Sequence, residues 1–123
     1  MAATEKIPVL LTRTGELEDQ SAIPTGATKW LNTGWEMLDM RNASGRVVTV
    51  TIPYARNPLV DGQSCPSPTI VMQPNTSYFA GPFPPELYND SNGYVTATYD
   101  NSSSVSDFIW RFPMPQEAYR PLP

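Results

Sequence analysis

Fourteen prolines punctuate this chain, about twice the usual share, and they fall between apolar stretches and at the C-terminus. Proline lacks a backbone donor and interrupts a helix, so the distribution argues against a helical bundle. What lies between the prolines alternates with period two. Trp35-Glu36-Met37-Leu38-Asp39-Met40-Arg41 places Leu38 and Met40 on either side of Asp39. After a short connection at Asn42-Ala43-Ser44-Gly45, Arg46 to Ile52 is rich in β-branched residues, with Val48, Val50 and Ile52 on one face and Thr49 and Thr51 on the other. These two runs are predicted to pair as a β-hairpin. Pro53 ends the second of them, because proline cannot continue a central ladder.

Further strands are predicted at Thr69-Ile70-Val71-Met72, at Ser77-Tyr78-Phe79-Ala80, over Tyr94 to Tyr99, and over Val105 to Phe112. In the last, Phe108, Trp110 and Phe112 share one face, and the packing of Phe108 and Trp110 reads as core. Tyr54 to Pro68 reads as irregular, with Asn57-Pro58 and Asp61-Gly62 as turn signals. Gly81-Pro82-Phe83-Pro84-Pro85 reads as a rigid, non-helical bend, and Asn89 to Gly93 as a turn. Seven or eight short strands spaced by about ten residues indicate an all-β fold, an antiparallel β-sandwich or jelly roll, over residues 30–112.

The flanks read differently. Residues 1–29 are expected to form an N-terminal arm, with Ile7-Pro8-Val9-Leu10-Leu11 as its apolar strand candidate. Residues 113–123 hold four prolines and form an expected C-terminal arm, already extended and losing little entropy when it lies along another surface. Ile7, Val9 and Leu11 in the first arm, Trp30 at the junction, and Tyr119 in the tail are the candidate protein-interface residues. Glu16, Glu18 and Asp19 read as a solvated acidic face rather than a metal site.

Composition excludes several kinds of work. The 123 residues amount to one domain, and 40% hydrophobic residues suffice for a core. The net charge of -4 rests on only eight basic residues, scattered along the chain, so no nucleic-acid partner is expected. No stretch approaches the ~20 apolar residues of a membrane span. The first nine residues do not read as a signal peptide, so no membrane partner is expected either. Cys65 is the one cysteine and has no intrachain partner.

The chain has no histidine, which removes the side chain most used for proton transfer near neutral pH and the commonest metal ligand. Neither a Ser-His-Asp nor a Cys-His arrangement nor a Cys/His zinc site can be built. Asp90-Ser91-Asn92-Gly93 reads as a turn rather than a calcium loop. Asn-x-Ser/Thr at Asn42, Asn75, Asn89 and Asn101 reads as a by-product of Asn- and Ser-rich turns. No catalytic residue, cofactor or metal is expected.

The run from Trp35 to Pro53, together with Asp61-Gly62, the strand near Ile70, Gly81-Pro82-Phe83-Pro84, Tyr88-Asn89-Asp90 and Val95-Thr96-Ala97-Thr98-Tyr99, resembles small β-rich structural proteins encoded among the head genes of tailed bacteriophages. The resemblance covers about residues 30–110. It implies a capsid decoration, or cement, protein that is made in the host cytoplasm and resides on the virion's outer surface. There it would bind the major capsid protein and reinforce contacts between its subunits, commonly as a homotrimer. A neck, tail or fibre component and a carbohydrate-binding β-sandwich module are the alternatives.

Overall fold

The computed structural model describes residues 3–12, 15, 20–56, 59–60, 63–64 and 66–113. In chain order the elements are β1 (Thr4–Glu5), β2 (Val9–Leu10), β3 (Ser21–Ala22), β4 (Ala27–Leu31), β5 (Glu36–Asn42), β6 (Val48–Thr51), β7 (Leu59–Val60), β8 (Gln63–Ser64), β9 (Thr69–Met72), β10 (Thr76–Ala80), α1 (Pro85–Tyr88), β11 (Tyr94–Tyr99) and β12 (Val105–Arg111). One sheet runs β1–β4–β11–β6–β9, and the other runs β10–β5–β12–β2, with β3 also pairing to β12. Both sheets are mixed, since β1 joins β4 and β2 joins β12 in parallel. The fold is an all-β sandwich.

The core lies between the sheets. Trp30, Val48, Val50, Met72, Val95, Ala97 and Tyr99 come from the first sheet, and Leu38, Met40, Val105 and Ile109 from the second, joined by Ile23, Ile52 and Phe83. Each fully buried aliphatic side chain contributes about 1.5–3 kcal/mol. Two-residue ladders at the edges offer far less, so the core holds the sheets together.

The expected hairpin between β5 and β6 does not form. β5 pairs with β10 and β12, whereas β6 pairs with β9 and β11, so the two strands stand in opposite sheets. Their alternation is real, but Leu38 and Met40 face Val48 and Val50 across the core instead of lying beside them. The connection is an arch around Asn42, which is fully buried. Its Nδ2 donates to the carbonyls of Arg46 (2.8 Å), Gln73 (3.2 Å) and Met72 (3.4 Å), and its Oδ1 accepts from the Ser44 amide (3.0 Å).

The segment expected as an N-terminal arm contributes β1, β2 and β3 to the sheets, and Ile23 to the core. The expected boundary between residues 29 and 30 falls inside β4. Lys6, between β1 and β2, pairs with the fully buried carboxylate of Asp107 on β12 and donates to the Ser21 carbonyl (2.9 Å). One charged side chain therefore ties the start of the chain to its last strand. The region read as irregular contains the small β7–β8 ladder, with Leu59 opposite Ser64. Asn57-Pro58, Asp61-Gly62, Cys65 and Glu16, Glu18 and Asp19 lie outside the described residues.

Gly81-Pro82-Phe83-Pro84 is a bend, followed by the single helical turn α1 with Pro85 in its first turn, where a missing N–H costs nothing. Gly81 has φ +121, and a Cβ there would sit 3.1 Å from the Glu36 carbonyl, the Met37 sulfur and the Phe83 ring. Only glycine fits. Phe83 packs on Trp30 (5.7 Å between centroids) and on Tyr88 (5.2 Å). Asn32 Nδ2 donates to the Phe83 carbonyl (2.9 Å) and to Asn89 Oδ1 (2.7 Å), and Asn89 Nδ2 donates back to the Asn32 carbonyl (2.9 Å). Gly81-Pro82-Phe83-Pro84 and Tyr88-Asn89 thus form a structural corner of the fold. Asn42 and Asn89, both in Asn-x-Ser sequences, use their amides inside the protein.

Tyr99 on β11 donates to the other Asp107 oxygen (2.7 Å). Burial first, then the Asp107 charge, push its pKa well above the ordinary value of 10. Burial, followed by a bond with Tyr54, pushes Tyr88 up to about 12. Both groups hold their protons more tightly folded than unfolded, so their contribution is complete below pH 10 and is lost as pH rises above it. The urea midpoint should fall steeply above pH 10, and Tyr99→Phe should flatten that slope. An equally steep slope in the variant would contradict the assignment.

Candidate functional site

Residues directly opposite in an antiparallel pair share a face. On β12, Val105, Asp107 and Ile109 oppose Asn42, Met40 and Leu38 and point into the sandwich, while Phe108 and Trp110 oppose Asp39 and Met37 and point out. The Phe112 amide donates to the Trp35 carbonyl (2.9 Å), so Phe112 and Trp35 continue the outer row. Phe79 on β10, opposite Asp39, joins them. The aromatic face of the last strand, expected to be core, is the outer face.

Two adjoining apolar hollows cover this surface. One, about 400 Å³, is lined by Trp35, Met37, Pro82, Phe112 and Pro113; the other, about 160 Å³, by Leu11, Phe79, Trp110 and Phe112. Phe112 is common to both. Exposure reaches 59% for Phe79, 38% for Phe112 and 37% for Trp35, whereas Trp110 between them retains 6%. The Trp110 indole donates to Asp39 Oδ2 (3.1 Å), and its ring meets Phe108 edge-on at 4.8 Å. A buried carboxylate therefore fixes the central ring, and exposed rings surround it. That arrangement suits a protein contact, in which a rigid aromatic centre is completed by a partner's side chains.

The sequence-derived candidates divide. Val9 pairs with Trp110, and Leu11 lines the second hollow, so both belong to the aromatic face. Ile7 is 83% exposed in the crossing between β1 and β2. Trp30, expected at an interface, is fully buried, because its position on β4 points into the core against Phe83. Tyr119 lies outside the described residues. Phe79, Trp35 and Phe112 were not singled out as interface residues. The signal for Phe112 was a last strand apolar on both faces, only one of which can line the core.

Chemistry elsewhere is sparse. A wider, open hollow of about 770 Å³ between Ala22–Pro24, Ala43 and Asn101–Ser106 is lined by no titratable side chain. Among the described residues, no cluster of three Cys, Asp or Glu side chains could hold a metal. Asp90 Oδ1 instead accepts from the amides of Asn92 (2.8 Å) and Tyr94 (2.9 Å), as a turn residue does. No family model matches the chain, and no curated protein or solved structure matches it significantly.

Proposed function

We propose that this chain is a non-catalytic structural module that binds protein through the outer face of its β10–β5–β12 sheet. Its proposed setting is the outside of an assembled bacteriophage shell, where it reinforces contacts between major capsid protein subunits. The observation that carries the binding role is the cluster of exposed rings, Phe79, Phe112 and Trp35, around the fixed indole of Trp110. The phage setting rests on the resemblance in residues 30–110. A net charge of -4 is compatible with a surface position away from packaged nucleic acid. A sugar-stacking platform would need coplanar exposed rings, whereas on this face Phe108 and Trp110 cross at 62°.

The double variant Phe79→Ser/Phe112→Ser tests the reading. Both side chains are exposed, so the thermal midpoint should move little, while affinity for assembled shells in co-sedimentation should fall at least about tenfold, as expected when aromatic anchors are removed. Unchanged shell occupancy at limiting protein would overturn the proposal.

A further inference from the structure

The two flanks of the sandwich are finished differently. On one, the N-terminal segment covers the sheet ends: β1 lies along β4, β2 and β3 lie along β12, and Lys6 is anchored on Asp107. On the other, β9 and β10 end their respective sheets, and the turn at Gln73-Pro74-Asn75 holds those two ends together. No described strand pairs along the outer side of either. Natural proteins blunt such edges with charge, proline or a bulge. This flank has none of them within its strands. From Gly62 to Pro85 the sequence contains no Asp, Glu, Lys or Arg, although the chain as a whole carries -4. Val71 on β9 is 50% exposed and Phe79 on β10 is 59% exposed.

We propose that the β10 edge pairs antiparallel with the β10 edge of a second copy, joining the two β10–β5–β12–β2 sheets into one. The occupant follows from charge. Two copies with the same net charge repel wherever their carboxylates meet, and screening confines that repulsion to about 8 Å at physiological salt. Edge strands with no ionised side chain of their own let a copy approach its twin at lower cost. A strand edge is also self-complementary, because its unpaired donors and acceptors match those of an identical antiparallel edge. Ser77 and Phe79 point to the outer face, so Phe79 of each copy stands at the seam. Pairing therefore merges the two aromatic faces. In this respect the inference rests on the proposed shell-binding role and deepens it: a paired module presents twice the surface and gains hold through effective concentration.

A five-residue ladder with a few flanking side chains is small beside the ~1,200–2,000 Å² of a standard stable interface, so the expected dissociation constant is roughly 10–100 µM. Sedimentation velocity of the full chain over concentrations spanning that range should show a monomer–dimer equilibrium. Ser77→Lys, on an exposed edge position, should weaken it at least about tenfold by placing like charges at the seam. An equimolar mixture of Ser77→Lys and Ser77→Glu should restore the dimer. A chain that stays monomeric throughout, a dimer indifferent to Ser77→Lys, or a trimer would each overturn the proposal, since a two-fold strand pairing closes at two copies. The single-chain mass is read without any shell present. A monomer that still bound shells through Phe79 and Phe112 would thus remove the edge pairing alone.

Discussion

Lys6→Met is expected to lower the unfolding free energy by about 3–5 kcal/mol, the usual cost of removing one partner from a buried ion pair. The carboxylate it leaves behind is fully buried on the inner face of β12, directly opposite Met40. Tyr99 would still donate one hydrogen bond to it, but its countercharge would be gone. The substitution also removes the lysine's bonds to the carbonyls of Ser21 and Asp107, which hold the crossing between β1 and β2 against β3 and β12. In urea the midpoint should drop by on the order of 2 M, given the slopes typical of a small domain. The partner substitution distinguishes a lost charge pair from a general loss of packing. Adding Asp107→Asn to Lys6→Met keeps an acceptor for Tyr99 and removes the unpaired charge, so more than half of the lost stability should return. A midpoint unchanged in Lys6→Met, or a double variant no better than the single, would contradict this role.

Asn42→Ala is expected to cost about 2–4 kcal/mol, because it removes the fully buried amide that bonds three carbonyls and the Ser44 amide at the arch. The amide of Asn42 is shared among Arg46, Gln73 and Met72, so it joins the end of β5 to the start of β6 and to the turn before β10. It stands where the chain crosses from one sheet to the other. Asn42→Asp separates the contributions further. It keeps the acceptor facing the Ser44 amide but turns a carboxylate toward three carbonyl oxygens, so it should be worse than alanine. Thermal unfolding of the three proteins gives the order directly. An aspartate variant as stable as the parent would show that the arch does not depend on this amide.

Those two residues mark where sequence reasoning stopped. The strands were legible, because Val48 and Val50, and Val95, Ala97 and Tyr99, alternate with polar neighbours and bury the expected face. Their partners were not. Alternation on β5 and β6 is the same whether the strands lie side by side or face each other, and Asn42-Ala43-Ser44-Gly45 reads as a tight turn in either case. What decides is the burial of one amide, which no local pattern reports. Of the N-terminal strands, β2 falls within the strand candidate Ile7 to Leu11, whereas β1 and β3 were hidden. Two-residue ladders leave no periodicity, and the ion pair that anchors them joins residues 6 and 107.

The candidate site was half legible. Period two separated Phe108, Trp110 and Phe112 from Val105, Asp107 and Ile109, but both sets are largely apolar. Phe108 and Trp110 read as core. A buried carboxylate is costly without a partner, and no local pattern shows one for Asp107. The partner exists in Lys6, so the set containing the acid turns inward and the rings turn out. Val9 and Leu11 were singled out for an arm and instead border the same rings.

A particle reconstruction tests the central claim most directly, by showing how many copies are present and which face they turn to the shell. The account predicts many copies spread over the capsid surface, with Phe79, Phe112 and Trp35 buried against the major capsid protein. A few copies confined to one vertex, or copies whose aromatic face points to solvent, would contradict it.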